Sequence, residues 1–327
     1  MLKKVAIVFF LTYITNYSTT FAIIDEKEVL EKRVSLYKKT STVTDVPWEY
    51  IAAIDQYERT ARRLRQDIPK KVSGITGVYV PDNLWYGLYK GDKKLATPSL
   101  ISNFGGIGMD GNGDGIADSD NDEDALYTVA KLISSYGLSK DQLKIGVWEW
   151  YFRSRTVDII MVNVKLLENV HYTKLQEHAF PVAIRSNHSV KNSYGARRSF
   201  GGLRMHEGID IFAGYGVPVK ATSYGVIVLK GWNRLGGWRI GIQDFNNNYH
   251  YFAHLGSFSK DIKQGDIVKP GQIIGYVGSS GYGPPGTSGK FPPHLHYGIY
   301  KDLGKGEWSF NPTPHIYQWK REELRRK

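Results

Sequence analysis

The sequence predicts an α+β multidomain protein, with a mostly α N-terminal domain followed by an all-β antiparallel C-terminal domain. Three observations carry this. Apolar residues recur at helical spacing through much of residues 46–170. From Pro181 onward glycines become frequent and β-branched residues gather in short alternating runs, with turn signals roughly every eight to twelve residues. The chain has 327 residues, enough for two ordinary domains with their own cores.

In chain order, Lys3 and Lys4 precede the apolar stretch Val5–Ile14, and Thr20-Phe21-Ala22 offers a small residue for cleavage. A basic start, a short apolar region and a small residue read as a secretory signal over residues 1–22. The alternative is an uncleaved N-terminal anchor; both place the bulk of the protein outside the cytoplasm, secreted or in the cell envelope. Residues 23–45 read as a charged helical stalk. Val46-Pro47-Trp48 opens a helix through Ile51, Ala52 and Ile54. A second helix covers 124–136, with Leu126, Val129, Ala130 and Ile133 on one face and Gly137 as its stop. A third is expected through Trp148–Val170.

Polar residues and Pro181 make 171–185 a linker to the β domain, 186–319. Its expected strands are Val217–Ala221, Gly225–Lys230, Trp238–Gln243, Tyr249–His254, Ile273–Val277 and Leu295–Tyr300. The basic run Lys320–Lys327 reads as a tail, a solvated helix end.

Composition removes several function classes. There is no cysteine, so disulfides, thiolate metal sites and a cysteine nucleophile are excluded, and any metal must sit on nitrogen and oxygen. Beyond the N-terminal stretch, no apolar run approaches the ~20 residues of a membrane span. Lys and Arg outnumber acids by 43 to 32, a formal charge of +11. For an exported chain that charge points to an anionic cell-wall or membrane surface. It does not point to nucleic acid, since the basic residues are scattered and attach to no recognition motif.

The chemistry-bearing residues concentrate in the β half. His206 and Asp210 stand in RMHEGID, His254 ends YHYFAH, and His294 and His296 bracket Leu295. Residues two apart on a strand face the same way, about 6.6 Å apart along the chain. One imidazole of the pair can then bind a metal while the other reaches a water or substrate beside it. His206 and Asp210, four apart, would be about 13 Å apart on a straight strand; Gly208 permits a bend that brings both inward. Two imidazoles and one carboxylate leave one tetrahedral position open, as a catalytic zinc ion requires. Any one of these residues alone is more often an ordinary hydrogen-bonded side chain; the combination within one small β domain is what carries weight. The glycine-rich SSGYGPPGTSG, residues 279–289, reads as a groove wall. It is not a phosphate loop, because Pro284 stands at the first glycine position and Phe291 follows Lys290 where Ser or Thr is needed.

The strings MHEGIDIFAGYGVPV (205–219), YFAHL (251–255), VKPGQIIGYVG (268–278) and HLHY (294–297) resemble the lysostaphin/LytM-type zinc metallo-endopeptidases. The resemblance runs over residues 186–315 and keeps the motifs in order. It implies a small antiparallel β fold with the metal in a surface groove. By motif position His206, Asp210 and His296 match the zinc ligands. His254 and His294 match two catalytic histidines that orient or deprotonate water and stabilise the tetrahedral intermediate. The implied partner is peptidoglycan, through its peptide cross-links.

In the first half, Asp110, Asn112, Asp114, Ile116 and Asp118 occupy loop positions one, three, five, seven and nine, with glycine at six. That spacing is expected of a calcium loop, the seventh position contributing a backbone carbonyl. Position twelve is Asn121, so Asp120 or Asp122 would have to close the cage. The alternative is an acidic turn capping the next helix, for which Asp122, Glu123 and Asp124 are suited. VPWEYIAAIDQYERT (46–60) and the stretch Phe104–Ala130 resemble the membrane-bound lytic transglycosylases of the B type. That resemblance implies a lysozyme-like helical fold over 46–170, with Glu58 as catalytic acid. The glutamine motif of that family is absent before Phe104, where the chain reads TPSLI, and Glu58 is equally suited to pairing with Arg59 or Arg62.

Together these readings make the chain a peptidoglycan hydrolase, with a helical module that binds or cleaves glycan strands. The competing class is a non-catalytic wall-binding or scaffold protein on the same fold.

Overall fold

A computed structural model of the chain describes residues 27–65, 73–200 and 202–326. The expected signal over 1–22 and the first residues of the stalk lie outside them. None of the helices searched is long and apolar enough to cross a membrane. The chain divides into two units, Met1–Asp55 with Pro69–Trp150, and Gln56–Ile68 with Tyr151–Lys327.

The first unit is helical. Helix α1 covers 27–44. Helix α2, Trp48–Leu64, contributes its N-terminal half. The short α3 (Asp82–Trp85) and α4 (Pro98–Asn103) lead to α5 (Asp122–Ile133) and α6 (Lys140–Tyr151). Ile51 and Ile54 meet Val78, Leu126, Val129 and Ile133 in a small apolar core. Asp55, fully buried among them, accepts hydrogen bonds of 2.5 Å from the Tyr37 hydroxyl and the Gly77 amide. α5 starts as its sequence requires: Asn121 caps the Glu123 and Asp124 amides, and three acids fill the first turn. Gly137 then stops the helical run at φ 114°, a value costly for a residue with a Cβ.

The third expected helix is in fact two. α6 ends at Tyr151 and α7 (Ser154–Asn169) begins anew. The break falls at Phe152, whose φ of 47° is left-handed and cannot continue a right-handed helix.

The second unit is built on one antiparallel sheet. The strands are β1 (His188–Lys191), β2 (Arg197–Arg198), β3 (Arg204–Met205), β4 (Ile209–Ala213), β5 (Pro218–Lys220), β6 (Gly225–Asn233), β7 (Gly237–Asp244), β8 (Asn248–Phe258), β9 (Ile267–Val268), β10 (Ile273–Val277), β11 (His294–Asp302) and β12 (Glu307–Phe310). The order is β1-β4-β11-β8-β7-β6-β9, with β10 pairing β5 and β8, β12 pairing β11, and β2–β3 a separate hairpin. Every expected strand is present, most of them longer than the sequence suggests. Side chains on one face, among them Ile209, Ile211, Ile240, Ile242, Phe252, Leu255 and Leu295, form the core with Val219, Val268 and Ile274. Alternation along the strands leaves the other face of β11, β8 and β7 to polar groups.

The basic run that begins at Lys320 is the end of a longer helix. Thr313–Arg325 forms helix α8, which buries Ile316 and Trp319 in the sheet's core. Trp319 stacks on His178 at 4.9 Å with a 7° interplanar angle, and Glu323 binds Lys220 at 2.9 Å. The charges that make this segment look solvated lie on the helix's other faces. Within the same unit Arg153 grips buried Asp302 through two hydrogen bonds of 2.9 and 2.6 Å, and Tyr57 donates to the same carboxylate over 3.1 Å.

Candidate active site

Three neighbouring strands, β4, β11 and β8, and one loop bring the expected residues together. β4 and β11 pair with Asp210 directly opposite His296, which places their side chains within reach on one face. His206 stands in the loop between β3 and β4, its amide bonded to the carbonyl of Ala196 over 2.9 Å. The role of Gly208 differs from the expected bend. Its φ is not left-handed; instead a Cβ there would lie 2.6 Å from the Tyr297 carbonyl and 2.7 Å from the His296 ring. Glycine is needed because the imidazole lies against the bare backbone.

His206 Nε2 lies 2.8 Å from His296 Nδ1 and 3.2 Å from Asp210 Oδ1, and His296 Nδ1 lies 3.3 Å from that same oxygen. Around a tetrahedral zinc with arms of about 2.0 Å, ligand atoms stand ~3.3 Å apart. The three donors therefore fit such an ion, and among the described residues they are the group of three or more His, Cys, Asp or Glu placed to hold a metal. Their supports are fixed too. His206 Nδ1 lies 3.0 Å from the carbonyl of Ser193, which leaves Nε2 facing the site. Arg198 Nη2 donates to Asp210 Oδ2 over 2.5 Å, so Oδ1 is the oxygen turned to the histidines. Burial alone would raise the Asp210 carboxyl, but hydrogen bonds from His206 and His296 hold it well below the carboxylate range. Burial pushes His296 down and keeps it neutral, the ligand form.

The other two histidines stand beside this group. His294 shares the face of His296, with Nε2 3.9 Å from Asp210 Oδ1 and Nδ1 2.8 Å from the Pro292 carbonyl. His254 lies with its ring centroid 4.7 Å from that of His294. Its Nδ1 is 2.7 Å from the carbonyl of Ser280. Each Nδ1–H is thus spent on a backbone carbonyl, and each Nε2 is left to the groove as a proton acceptor. Burial, then the neighbouring His294 and His296, lower the His254 pKa to about 3. His254 sits at φ 61°, where β8 slips register against β7 between Trp238 and Ile240. There Ala253 and His254 together oppose the single residue Arg239, a β-bulge that re-aims the histidine.

Several groove residues have no signal in the sequence. Tyr282, at φ 61°, stacks on His254 at 5.4 Å and 14°. Tyr251 meets His296 edge-on at 5.9 Å. Arg198 and Arg239 also line the groove. They come from turns and neighbouring strands, and only the strand pairing reveals which of many tyrosines and arginines face inward.

Glu58 is placed elsewhere, on α2. Its Oε1 accepts from the Tyr151 hydroxyl over 2.7 Å and its Oε2 stands 3.5 Å from Arg62 Nε. In the acidic loop, Asp110 accepts the Gly113 and Gly115 amides and Asp114 that of Ile116, while Asn112 donates to Asp114. Asp118 accepts the amide of Asp120. Buried Asp124, from the first turn of α5, takes the amides of Gly111, Asn112 and Asp118.

Residues 204–312 match peptidase family M23. The L-Ala–D-Glu endopeptidase of Bacillus subtilis (strain 168) is 56% identical over 299 residues, covering 91% of both chains. The glycyl-glycine endopeptidase ALE-1 of Staphylococcus capitis is 39% identical over 145 residues, 41% of this chain and 37% of that one. Lysostaphin of Staphylococcus simulans is 44% identical over 115 residues, 34% of this chain and 21% of that one. The first relative's likeness runs through both units, whereas the other two match only part of this chain. On this footing the chain belongs to peptidase family M23.

Proposed function

We propose that this protein is a zinc-dependent peptidoglycan endopeptidase that cuts the wall peptide between L-Ala and D-Glu. The observation that carries it is the convergence of His206, Asp210 and His296 on one point, with His254 and His294 beside it. The 56% identity to an L-Ala–D-Glu endopeptidase over nearly the whole chain supports that choice of bond over a glycine bridge or a D-alanyl cross-link.

His206, Asp210 and His296 would hold the zinc, which when bound polarises the scissile carbonyl and acidifies water. The chain's own residues do the rest. His254 and His294, fixed through Nδ1, each offer Nε2 to a proton leaving the attacking water. Once protonated, either imidazole becomes a donor to the developing tetrahedral oxygen or the departing amine. Arg198 holds Oδ2 of Asp210 and keeps its other oxygen turned inward. The retained donor set and both histidines favour the enzyme over a wall-binding scaffold.

The test is digestion of purified peptidoglycan with the full chain and identification of the new termini by mass spectrometry. New N-terminal D-Glu is the expected product; new termini at glycine or D-Ala alone would contradict the assignment of the bond.

The same reading places the protein outside the cytoplasm, on the strength of residues 1–22, against an anionic wall or membrane surface that its charge of +11 suits. It gives the N-terminal region a role on the glycan strand, by binding it or by cleavage with Glu58 as acid; its support is the resemblance of 46–60 and 104–130. Glu58→Gln with no change in anhydro-sugar ends would remove the cleavage role. Calcium on Asp110, Asn112, Asp114, Ile116 and Asp118 rests on ligand spacing. It calls for a melting temperature that rises with calcium in wild type and not in Asp114→Ala.

A further inference from the structure

Among the described groove arginines, Arg204 and Arg239 have no carboxylate partner, and Arg239 alone leaves a shielded Nε without an acceptor. Arg198 is engaged by Asp210 at 2.5 Å, and the groove's Glu307 is taken by Arg155, from outside the groove lining, at 2.6 Å. Arg204 donates to the carbonyls of Phe200 and Gly202. Arg239 has no carboxylate within ion-pair distance among the described residues. Its guanidinium carbon lies 5.9 Å from the centroid of Tyr251, and its Nε is shielded from solvent with no acceptor. A buried donor left unpaired in a charged group is costly, and at a cleft it calls for a ligand. Of the groove's other acids, Glu307 pairs with Arg155 and Glu207 accepts from the Tyr300 hydroxyl at 3.3 Å.

Its position is equally specific. Arg239 is the single β7 residue facing the β8 bulge of Ala253 and His254. Tyr251, under its guanidinium, touches His296 edge-on. The arginine therefore stands one side chain away from the metal-binding histidine and one strand away from the histidine offered to the water. Tyr249, Tyr251 and Tyr300 line the surface around it, and their rings are in contact.

We propose that Arg239 is a specificity-determining residue that binds a free carboxylate on the substrate residue beside the scissile bond. This rests on the proposed L-Ala–D-Glu bond, in which the residue after the cut is acidic. A glycyl-glycine bond offers no such group, and Arg239 would gain nothing from it. Guanidinium and carboxylate match as a planar two-point pair, so the acid would be preferred over its amide.

The experiment uses two synthetic Ala–Glu peptides, extended through one glutamate carboxyl, with the other carboxyl free or present as a primary amide. Wild type is expected to favour the acid by about 10- to 100-fold in kcat/KM, the worth of a hydrogen-bonded charged pair. Arg239→Gln should lose the acid peptide's advantage, so that the ratio of kcat/KM for acid over amide falls to about 1, while Arg239→Lys retains part of the preference. Equal cleavage of both peptides by wild type, or an unchanged preference in Arg239→Gln, overturns the proposal. If neither peptide is cut while other wall bonds are, the assignment of the bond has failed, and Arg239 is then judged by binding. In a His294→Ala background the acid peptide must bind more tightly than the amide, and Arg239→Gln must abolish the difference; equal affinities overturn the proposal.

Discussion

Arg198 Nη2 sits 2.5 Å from Asp210 Oδ2, while the carboxylate's other oxygen faces His206 and His296. One arginine thereby decides which oxygen the metal site receives. Without it the carboxylate can rotate, and two buried imidazoles are left with a poorly aimed acid. Partners of this kind typically account for about 10- to 100-fold in metal affinity or activity. Arg198→Ala is expected to show a loss of that size in zinc affinity by chelator competition, with kcat/KM falling alongside. Wild-type affinity in Arg198→Ala would show that Asp210 needs no such hold.

Gly208→Ala tests the closeness of the His296 ring. The added methyl carbon would stand 2.6 Å from a backbone carbonyl that cannot swing aside. Either the loop carrying His206 shifts or β11 does, and both separate the donors. Zinc content and hydrolysis should fall together by at least ~10-fold, the scale of losing the alignment of one ligand. Retention of both would mean that the loop adapts.

His254 carries a pH signature. Its pKa is lowered to about 3 by burial and by the neighbouring histidines, whereas in the unfolded chain it titrates near 6.5. As pH falls below about 6.5 the unfolded chain takes up a proton that the native state refuses, so stability declines toward pH 3. The slope for one such group is about 1.4 kcal/mol per pH unit. Urea unfolding of the metal-free protein between pH 4 and 7 should show this decline, and His254→Gln should flatten it. An equal slope in the variant would contradict the neutral, buried histidine.

Helix α8 belongs to the peptidase fold. Trp319 is 5% exposed and stacks on His178. Trp319→Ala is expected to cost about 3–5 kcal/mol in chemical denaturation, as large buried aromatics do. A change of only a few tenths would show that Trp319 contributes nothing to that core.

The strands and the five site residues were legible in the sequence because alternation, turn glycines and the HLH and HEGID strings are local signals. The turns of α8 before Lys320 were not, because charged and polar neighbours mask Ile316 and Trp319, whose burial depends on a sheet formed far earlier in the chain. The break at Phe152 escaped for a related reason: both flanks are helical in period, and no proline or glycine marks the left-handed residue between them. Arg198 and Arg239 are two among many arginines until β2–β3 and β7–β8 pair. Gly208 was singled out correctly for the wrong reason, since a sequence shows that a side chain is absent but not which ring fills the space.

In the proposed site His206, Asp210 and His296 hold zinc, while His254 and His294 move protons. Bound zinc and wall-peptide hydrolysis, measured together on wild type, His206→Ala and His294→Ala, test it most directly. Wild type should hold one zinc and cut; His206→Ala should lose both; His294→Ala should keep the metal and lose the cutting. Zinc-free wild type that still hydrolyses the wall, or a His294→Ala protein as active as wild type, would contradict the account.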